Sequence, residues 1–422
     1  MPEKIIFHID VNSAFLSWEA VYRIKELGET TDFREIPSAV GGDMSKRHGI
    51  ILAKSTPAKK YNIQTGEPIV SALRKCPELL IVPPRFEIYE RNSKAFMEIL
   101  GKYSPDVEKY SIDEAFVDMT GTEKLFGTPL EAAEKIKNEI YETLGFTVNI
   151  GISTNKLLAK MASDFQKPNR VHTLFPEEIQ EKMWKLPVRD LFFVGKSSEK
   201  KLHDLGIYTI GELAKTDVEI LKSVLKKQGE TIWNFANGRD VSFIEHNDTN
   251  KGYGNSTTIA FDVSDRSTAQ MVLLSLAETI GIRLRKDQVK IQVVSVTIRF
   301  FDLRSVSHQC VLDHPTNITN EIHTIACKLF DELWDGTPIR LLGIQTGKVT
   351  EEDSGRQMSL FDTTDYEKLE KLDKAVDSIR QRFGADSIKR ASFVEQEKIE
   401  HINGGRVKEK IRIDYEEKNE NR

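Results

Sequence analysis

At 422 residues, with hydrophobic side chains at 39% and charged ones at 30%, the chain has the composition of a globular protein too long for one ordinary core, and two to four domains are expected. A formal charge of −5 lacks the basic footprint of a nucleic-acid binder, so any DNA-binding groove has to be local. Cys76, Cys310 and Cys327 have no CxxC spacing, no apolar run approaches a membrane span, and "MPEKIIFHID" lacks a signal peptide's pattern, so a disulfide frame, a thiolate metal site and a membrane partner are not indicated and a cytoplasmic protein is expected.

"KIIFHID" reads as a buried first strand that runs, with Asp10 at the junction, into the helical pattern "SAFLSWEAVYRIKEL", capped at Asn12 or Ser13. From about Thr30 to Leu80 the chain is basic and broken by Pro37, Gly41, Gly42, Pro57 and Pro68, which predicts a small irregular subdomain. "KYSIDEAFVD", Lys109 to Asp118, has a strand's aromatic and β-branched residues but carries Asp113 and Glu114 side by side. "EAAEKIKNEIYETLG" follows as an amphipathic helix, "FTVNIGIS" as a strand, and "TNKLLAKMASDFQ" as a helix capped at Thr154 or Asn155. The alternation predicts an α/β core, followed by short helices and tight turns in "FPEEIQEKMWKLPVRDLFFVGKSSEKKLHDLGIYTIGELAK". A polar stretch from Asn237 to Asn255 reads as a linker. "STTIAFDV", "AQMVLLSLAETIGIRLRK", "IQVVSVTIRFFDL", "EIHTIACKLFDELW" and "RLLGIQTGKV" then alternate strand and helix as a second α/β domain. The charged tail from Glu351 holds one amphipathic helix with Leu369, Leu372, Val376, Ile379 and Phe383 on one face.

Adjacent strand residues point to opposite faces, so Asp113 and Glu114 can share a site only if the chain bends beside them. A tight bend at Ser111 and Ile112 would allow both acids to converge with Asp10. Like charges that close raise one another's pKa, and a divalent cation removes the conflict. All-oxygen ligands favour Mg²⁺ or Mn²⁺, the ions of two-metal phosphoryl transfer. On spacing alone an exposed hairpin turn with Asp10 as a helix cap explains the same residues equally well.

Three segments together, "DVNSAFLSWE", "YSIDEAFVDMTG" and "GISTNKLLAKMASDFQKPN", resemble the Y-family, or translesion, DNA polymerases in order and spacing. The D-V-N form and the tail "LDKAVDSIRQRFGADSIKRAS" resemble the branch of the SOS mutagenic polymerase's catalytic subunit. The resemblance implies an α/β (α+β) right-hand polymerase: palm at 1–29 and 80–175, fingers at 30–79, a helix-hairpin-helix thumb at 176–240, a linker at 241–250, a little finger at 251–349, and a charged tail at 350–422. It implies Asp10, Asp113 and Glu114 as catalytic ligands of two Mg²⁺ ions, with the Val11 carbonyl a further ligand. Phe15 would be the steric gate under the incoming sugar, behind Ala14 where the family commonly has an aromatic. Lys167 would bind the dNTP phosphates. Thr56 and Lys59 stand where the family usually has Tyr and Arg, so Lys54, Lys59 and Lys60 would share that task, a point charge replacing a bidentate fork.

Gly195, Lys196, Lys200 and Lys201 are the expected thumb contacts to DNA phosphates, with Phe193 where the family has a first glycine. Lys156 and Lys160 are expected to pack or to touch DNA. In the little finger the expected basic cluster is Arg283, Arg285, Lys286, Lys290, Arg299 and Arg304, on a domain whose near-neutral balance implies weak, salt-sensitive binding to primer-template DNA. In "QMSLFD", Gln357, Met358, Leu360 and Phe361 resemble the peptide that docks bacterial polymerases on the sliding clamp. The branch likeness adds SOS accessory subunits or a recombinase filament as partners. The expected function is template-directed DNA synthesis in repair and damage tolerance. A non-catalytic DNA- and clamp-binding relative and another palm-type nucleotidyl transferase are the competing readings.

Overall fold

The computed structural model describes residues 4–42, 49–245, 250–351, 365–384 and 387–393. Two compact units emerge, one from Met1–Gly42 with Ile50–Asp248 and the other mainly from Thr249 onward. No helix among the described residues is long and apolar enough to cross a membrane.

The first unit holds β1 (Ile6–Val11), β2 (Ser38–Gly41), β3 (Ile51–Lys54), β4 (Leu80–Val82), β5 (Val107–Lys109), β6 (Glu114–Asp118), β7 (Val148–Ser153) and β8 (Val171–Thr173). Five of them form one sheet in the order β5-β6-β1-β7-β8, with β1 antiparallel to both neighbours. Every residue of β1 is buried because both faces of the sheet are covered. Strand alternation sends Phe7, Ile9 and Val11 into a core with Trp18, Tyr89, Phe96, Ile136 and Ile140 from three helices. Those helices are Ala14–Lys25, Phe86–Leu100 and Pro129–Leu144. The last begins at a capping box between Thr128 and Glu131 with Pro129 in the first turn, and ends at Gly145 in the left-handed region, φ 83°.

The other face of β1 presents His8 and Asp10 to the helix Lys156–Ser163, which Asn155 caps through its side chain. This helix lies unusually close to the sheet. A Cβ on Gly151 of β7 would stand 1.9 Å from the Ala159 carbonyl oxygen and 2.5 Å from the Ser163 nitrogen, so only glycine permits the approach. The helix's opposite face, Leu157, Leu158 and Met161, enters the core of a helical module running to Ala236.

The segment expected to be irregular between residues 30 and 80 contains a second sheet, β3-β2-β4, closed by the Ile69–Lys75 helix, whose Ile69 and Ala72 pack with Ala39, Ile51 and Ile63. The second unit is an antiparallel sheet in the order β11-β10-β12-β9, made of β9 (Gly254–Val263), β10 (Val289–Phe300), β11 (Ser305–Thr316) and β12 (Ile339–Glu351). Helices Arg266–Lys286 and Thr319–Leu333 pack on it. β11 is a strand that the sequence pattern did not yield.

The expected tail helix forms over Tyr366–Phe383, but its buried residues are Asp373 and Arg380 rather than the apolar stripe. Leu372 and Phe383 remain 52% and 53% exposed. Charge pairing explains the inversion: Arg285 binds Asp377 at 2.6 Å and Asp373 at 3.1 Å, and Glu278 binds Arg380 at 3.4 Å and Arg390 at 2.7 Å.

Candidate active site

The β5–β6 hairpin turns through Tyr110–Asp113, with the Tyr110 and Ser111 N–H groups both donating to the Glu114 carbonyl. Ser111 locks the bend by donating its hydroxyl to Asp113 Oδ1 at 2.7 Å while accepting from the Asp113 N–H. The acidic pair is therefore divided: Asp113 belongs to the turn and Glu114 opens β6. Register places Asp10 directly opposite Glu114, and the Val11 N–H donates to the Asp113 carbonyl at 3.0 Å. Directly paired residues project to one face, so Asp10 and Glu114 meet at the sheet's surface.

Each of these two acids is held by a lysine. Lys160 Nζ lies 2.9 Å from Glu114 Oε1, and Lys167 Nζ lies 2.5 Å from Asp10 Oδ2. Of packing and DNA contact, the two expectations for Lys160, its side chain meets the first: it is 10% exposed and turned to a carboxylate. Lys156 packs too, as a part-buried pair with Glu108 at 2.7 Å. On the far side of Glu114 stands His8, fully buried, with Nδ1 2.7 Å from Ser163 Oγ and Nε2 3.8 Å from Glu114 Oε2.

Burial pushes the Asp10 carboxyl up to about 6 against the pull of Lys167, and the Glu114 charge adds to the rise. Burial also acts on Glu114, but the nearby His8 ring and the charge and hydrogen bond of Lys160 outweigh it and bring that carboxyl down to about 2. His8 itself is lowered to about 4, chiefly by burial, and is neutral at pH 7.

Asn12, which takes the place of a second family acid, is tied at both ends of its amide. Its Nδ2 donates to Asn149 Oδ1, and its Oδ1 accepts from Thr147 Oγ1 and the Asn169 N–H. Asn149 in turn donates to the Ser163 and Gln166 carbonyls. This amide pair fastens the loop carrying Lys167 beside Asp10. His8, Ser163, Asn149 and Asn12 are the site residues that sequence spacing did not reveal.

Phe15 is half-buried and stacks on Tyr89 at 4.8 Å and 13°, with Phe86 edge-on at 5.9 Å. Thr56 and Lys59 lie exposed in a helical turn after β3, capped by Ser55. In the helical module, Gly195 is the N-cap of helix Lys196–Asp204, and Gly195, Lys196, Lys200 and Lys201 are all exposed. Gly195 has an ordinary extended φ of −89°, whereas Phe193 takes the left-handed φ of 72° expected of a glycine. The Phe193 ring is 56% exposed and packs edge-on against Phe235 at 5.6 Å.

In the second unit Arg299 is exposed on β10, its Nε donating to Ser305 across the β10–β11 pair. Arg285 and Lys290 do not join it in a basic face. Arg285 has a side chain only 6% exposed and paired with Asp373 and Asp377, and Lys290 faces Glu370 at 3.7 Å. Gln357, Met358, Leu360 and Phe361 lie outside the described residues.

Among the described residues no group of three or more His, Cys, Asp or Glu side chains stands close enough together to hold a metal ion. The donors still fit a hard divalent ion in kind: Asp10 and Glu114 share a face, and Asp113 is one backbone hydrogen bond away.

The family model described as impB/mucB/samB matches residues 9–164, its C-terminal domain matches 250–360, and its helix-hairpin-helix motif matches 176–207. The chain is 48% identical over 395 residues to DNA polymerase IV of Clostridium acetobutylicum, covering 93% of this chain and 99% of the relative. To DNA polymerase IV 1 of Bacillus subtilis it is 35% identical, covering 94% and 95%. Among solved structures, a Y-family DNA polymerase chimera superposes with a TM-score of 0.72 at 24% identity, covering 82% of this chain and 99% of that one.

Proposed function

Because the chain belongs to the impB/mucB/samB family, the Y-family of translesion DNA polymerases, we propose that it extends primer 3′ ends on a DNA template by two-metal phosphoryl transfer, with Asp10, Asp113, Glu114 and the Val11 carbonyl as ligands. The observation that carries the proposal is the facing of Asp10 and Glu114 at the sheet's surface, beside a turn that supplies Asp113. Mg²⁺ ions bound there would activate the primer 3′ oxygen and neutralise the triphosphate.

The chain's own residues supply the rest. Lys167, on a loop fastened by Asn12 and Asn149, presents an ammonium that can exchange Asp10 for a phosphate oxygen. Thr56 and Lys59, with Lys54 and Lys60, offer a hydroxyl and point charges to the same phosphates. Phe15 is fixed by its stack on Tyr89, and a ring so held excludes a 2′-hydroxyl by bulk rather than by a polar contact. The exposed Gly195–Lys200 turn grips DNA phosphates through backbone N–H groups and ammonium charges, and Arg299 adds one cation on β10. Binding through a surface of near-neutral balance would be weak, and docking of residues 357–361 on a sliding clamp would hold the enzyme on its primer. The biological role that follows is repair and damage tolerance, with SOS accessory subunits or a recombinase filament as further partners.

Primer extension in Mg²⁺ tests the core of this. Asp10→Asn, Asp113→Asn and Glu114→Gln each lower extension by about three orders of magnitude, the several kcal/mol that metal-assisted charge stabilisation supplies. Phe15→Ala retains deoxynucleotide addition and gains ribonucleotide addition. Extension undiminished in an acid variant would remove that residue from the site.

A further inference from the structure

Asp164 is given no role by the motifs or by the expected ligand set, yet it lies between the two lysines that hold the site. Its Oδ1 is 2.8 Å from Lys167 Nζ, and its Oδ2 is 3.9 Å from Lys160 Nζ. It follows the helix Lys156–Ser163 as the C-cap residue, and its side chain is 49% exposed. The two ammonium groups thus have one acceptor in common, approached through different oxygens, and each has a second acceptor among the expected metal ligands. Gly151 lets their helix sit directly on β7, which keeps Lys160 and Ser163 close to the sheet surface.

A divalent ion that takes Asp10 Oδ2 and Glu114 Oε1 competes with the ammonium on each of those oxygens, so the two lysines are loosened as the site loads. A cation released into a partly buried space needs a new counter-charge, and Asp164 is within reach of both. We propose that Asp164 is a positioning residue that receives Lys160 and Lys167 as divalent ions take Glu114 and Asp10. In the unloaded chain the lysines keep the facing carboxylates tolerable; in the loaded chain Asp164 holds the same ammonium groups off the ions. The proposal rests on the metal-binding reading above, and its test separates the two.

The test is direct Mn²⁺ binding by the full chain with a non-hydrolysable dNTP analogue, read as free Mn²⁺ by electron paramagnetic resonance, with melting in EDTA as a folding control. Asp164→Asn leaves the EDTA melting temperature nearly unchanged and weakens Mn²⁺ binding about fivefold, the size of a half-exposed ion pair. Asp164→Glu, which keeps the carboxylate, restores most of the affinity. In a Lys160→Met background the Asp164→Asn loss shrinks to half or less, because one of the two ammonium groups needing Asp164 is gone. Should Lys160→Met fail to fold, Lys160→Gln serves in the same cycle. Wild-type affinity in Asp164→Asn, or the same loss in both backgrounds, overturns the proposal while leaving the metal site standing. Absence of Mn²⁺ binding by the wild-type chain would overturn both.

Discussion

His8 and Asp10 project from one face of β1, two positions apart, and burial acts on them with opposite sign. His8 is held near 4, below its ordinary 6.5, so its contribution to stability is complete above pH 6.5 and is lost as pH falls through 4. Asp10 is held near 6, above 3.8, so its contribution is complete below pH 3.8 and is lost as pH rises through 6. Each amounts to about 3 kcal/mol at most, at about 1.4 kcal/mol per unit, and between pH 4 and 6 they nearly offset. Urea unfolding in EDTA should therefore show opposite changes. His8→Asn gains stability relative to the parent chain on acidification from pH 6.5 to 4, and Asp10→Asn loses it. Parallel curves for the two variants would contradict these protonation states. That Asp10 and Glu114 face one another was legible in sequence only as one of two readings, since an exposed hairpin turn explained the same residues equally well. His8 was not, since a histidine in an apolar run looks like core, and its partner Ser163 is 155 residues away. The Asn12–Asn149 pair, 137 residues apart, is hidden for the same reason.

At the scale of elements, β1, β6, β7 and the helices Ala14–Lys25, Pro129–Leu144 and Lys156–Ser163 followed from periodicity and caps, while the β3-β2-β4 sheet, the helix Phe86–Leu100 and the features that aim side chains at the site did not. Gly151 reads as a weak point in the strand "FTVNIGIS", yet it lets the helix Lys156–Ser163 approach the sheet and hold Lys160 against Glu114. Gly151→Ala forces a methyl into the Ala159 carbonyl, and the helix must retreat. The expected result is a loss of about 1–3 kcal/mol, as for other overpacked sites, seen as a lower melting temperature. Extension falls as well because Lys160 moves from Glu114, and an unchanged melting curve would show that the helix yields freely. β11 was missed because its exposed positions, Ser305, Ser307 and Gln309, carry polar side chains without β-branching, and its alternation is diluted by His308. Phe193 illustrates the reverse error: the turn needs a left-handed residue, and here phenylalanine supplies it, with Phe192 and Phe235 packed against the ring.

Across the whole molecule, the tail helix Tyr366–Phe383 belongs to the second unit and extends it beyond the stretch that the family's C-terminal model matches, which ends at residue 360. Apolar periodicity predicted the helix correctly and its buried face wrongly. The reason is that Arg285 and Glu278, buried in the second unit, take charged partners from the tail. Arg285 makes five hydrogen bonds, to Asp377 twice, Asp373, the Asn317 carbonyl and Thr319, and Asp373 also accepts from the Thr319 N–H at the start of the neighbouring helix. Removing the arginine alone leaves Asp373 and Asp377 without their main cation. Arg285→Met is therefore expected to cost about 3–5 kcal/mol, the range for breaking a buried pair from one side. Calorimetry of the full chain should show this as a lower transition for the second unit, with the transition of the first unit, which carries the active site, in place. Adding Asp373→Asn and Asp377→Asn to Arg285→Met removes the stranded charges and recovers part of the loss. A DNA-contact role for Arg285 predicts the contrary pattern: weaker, less salt-sensitive DNA binding with melting unaltered.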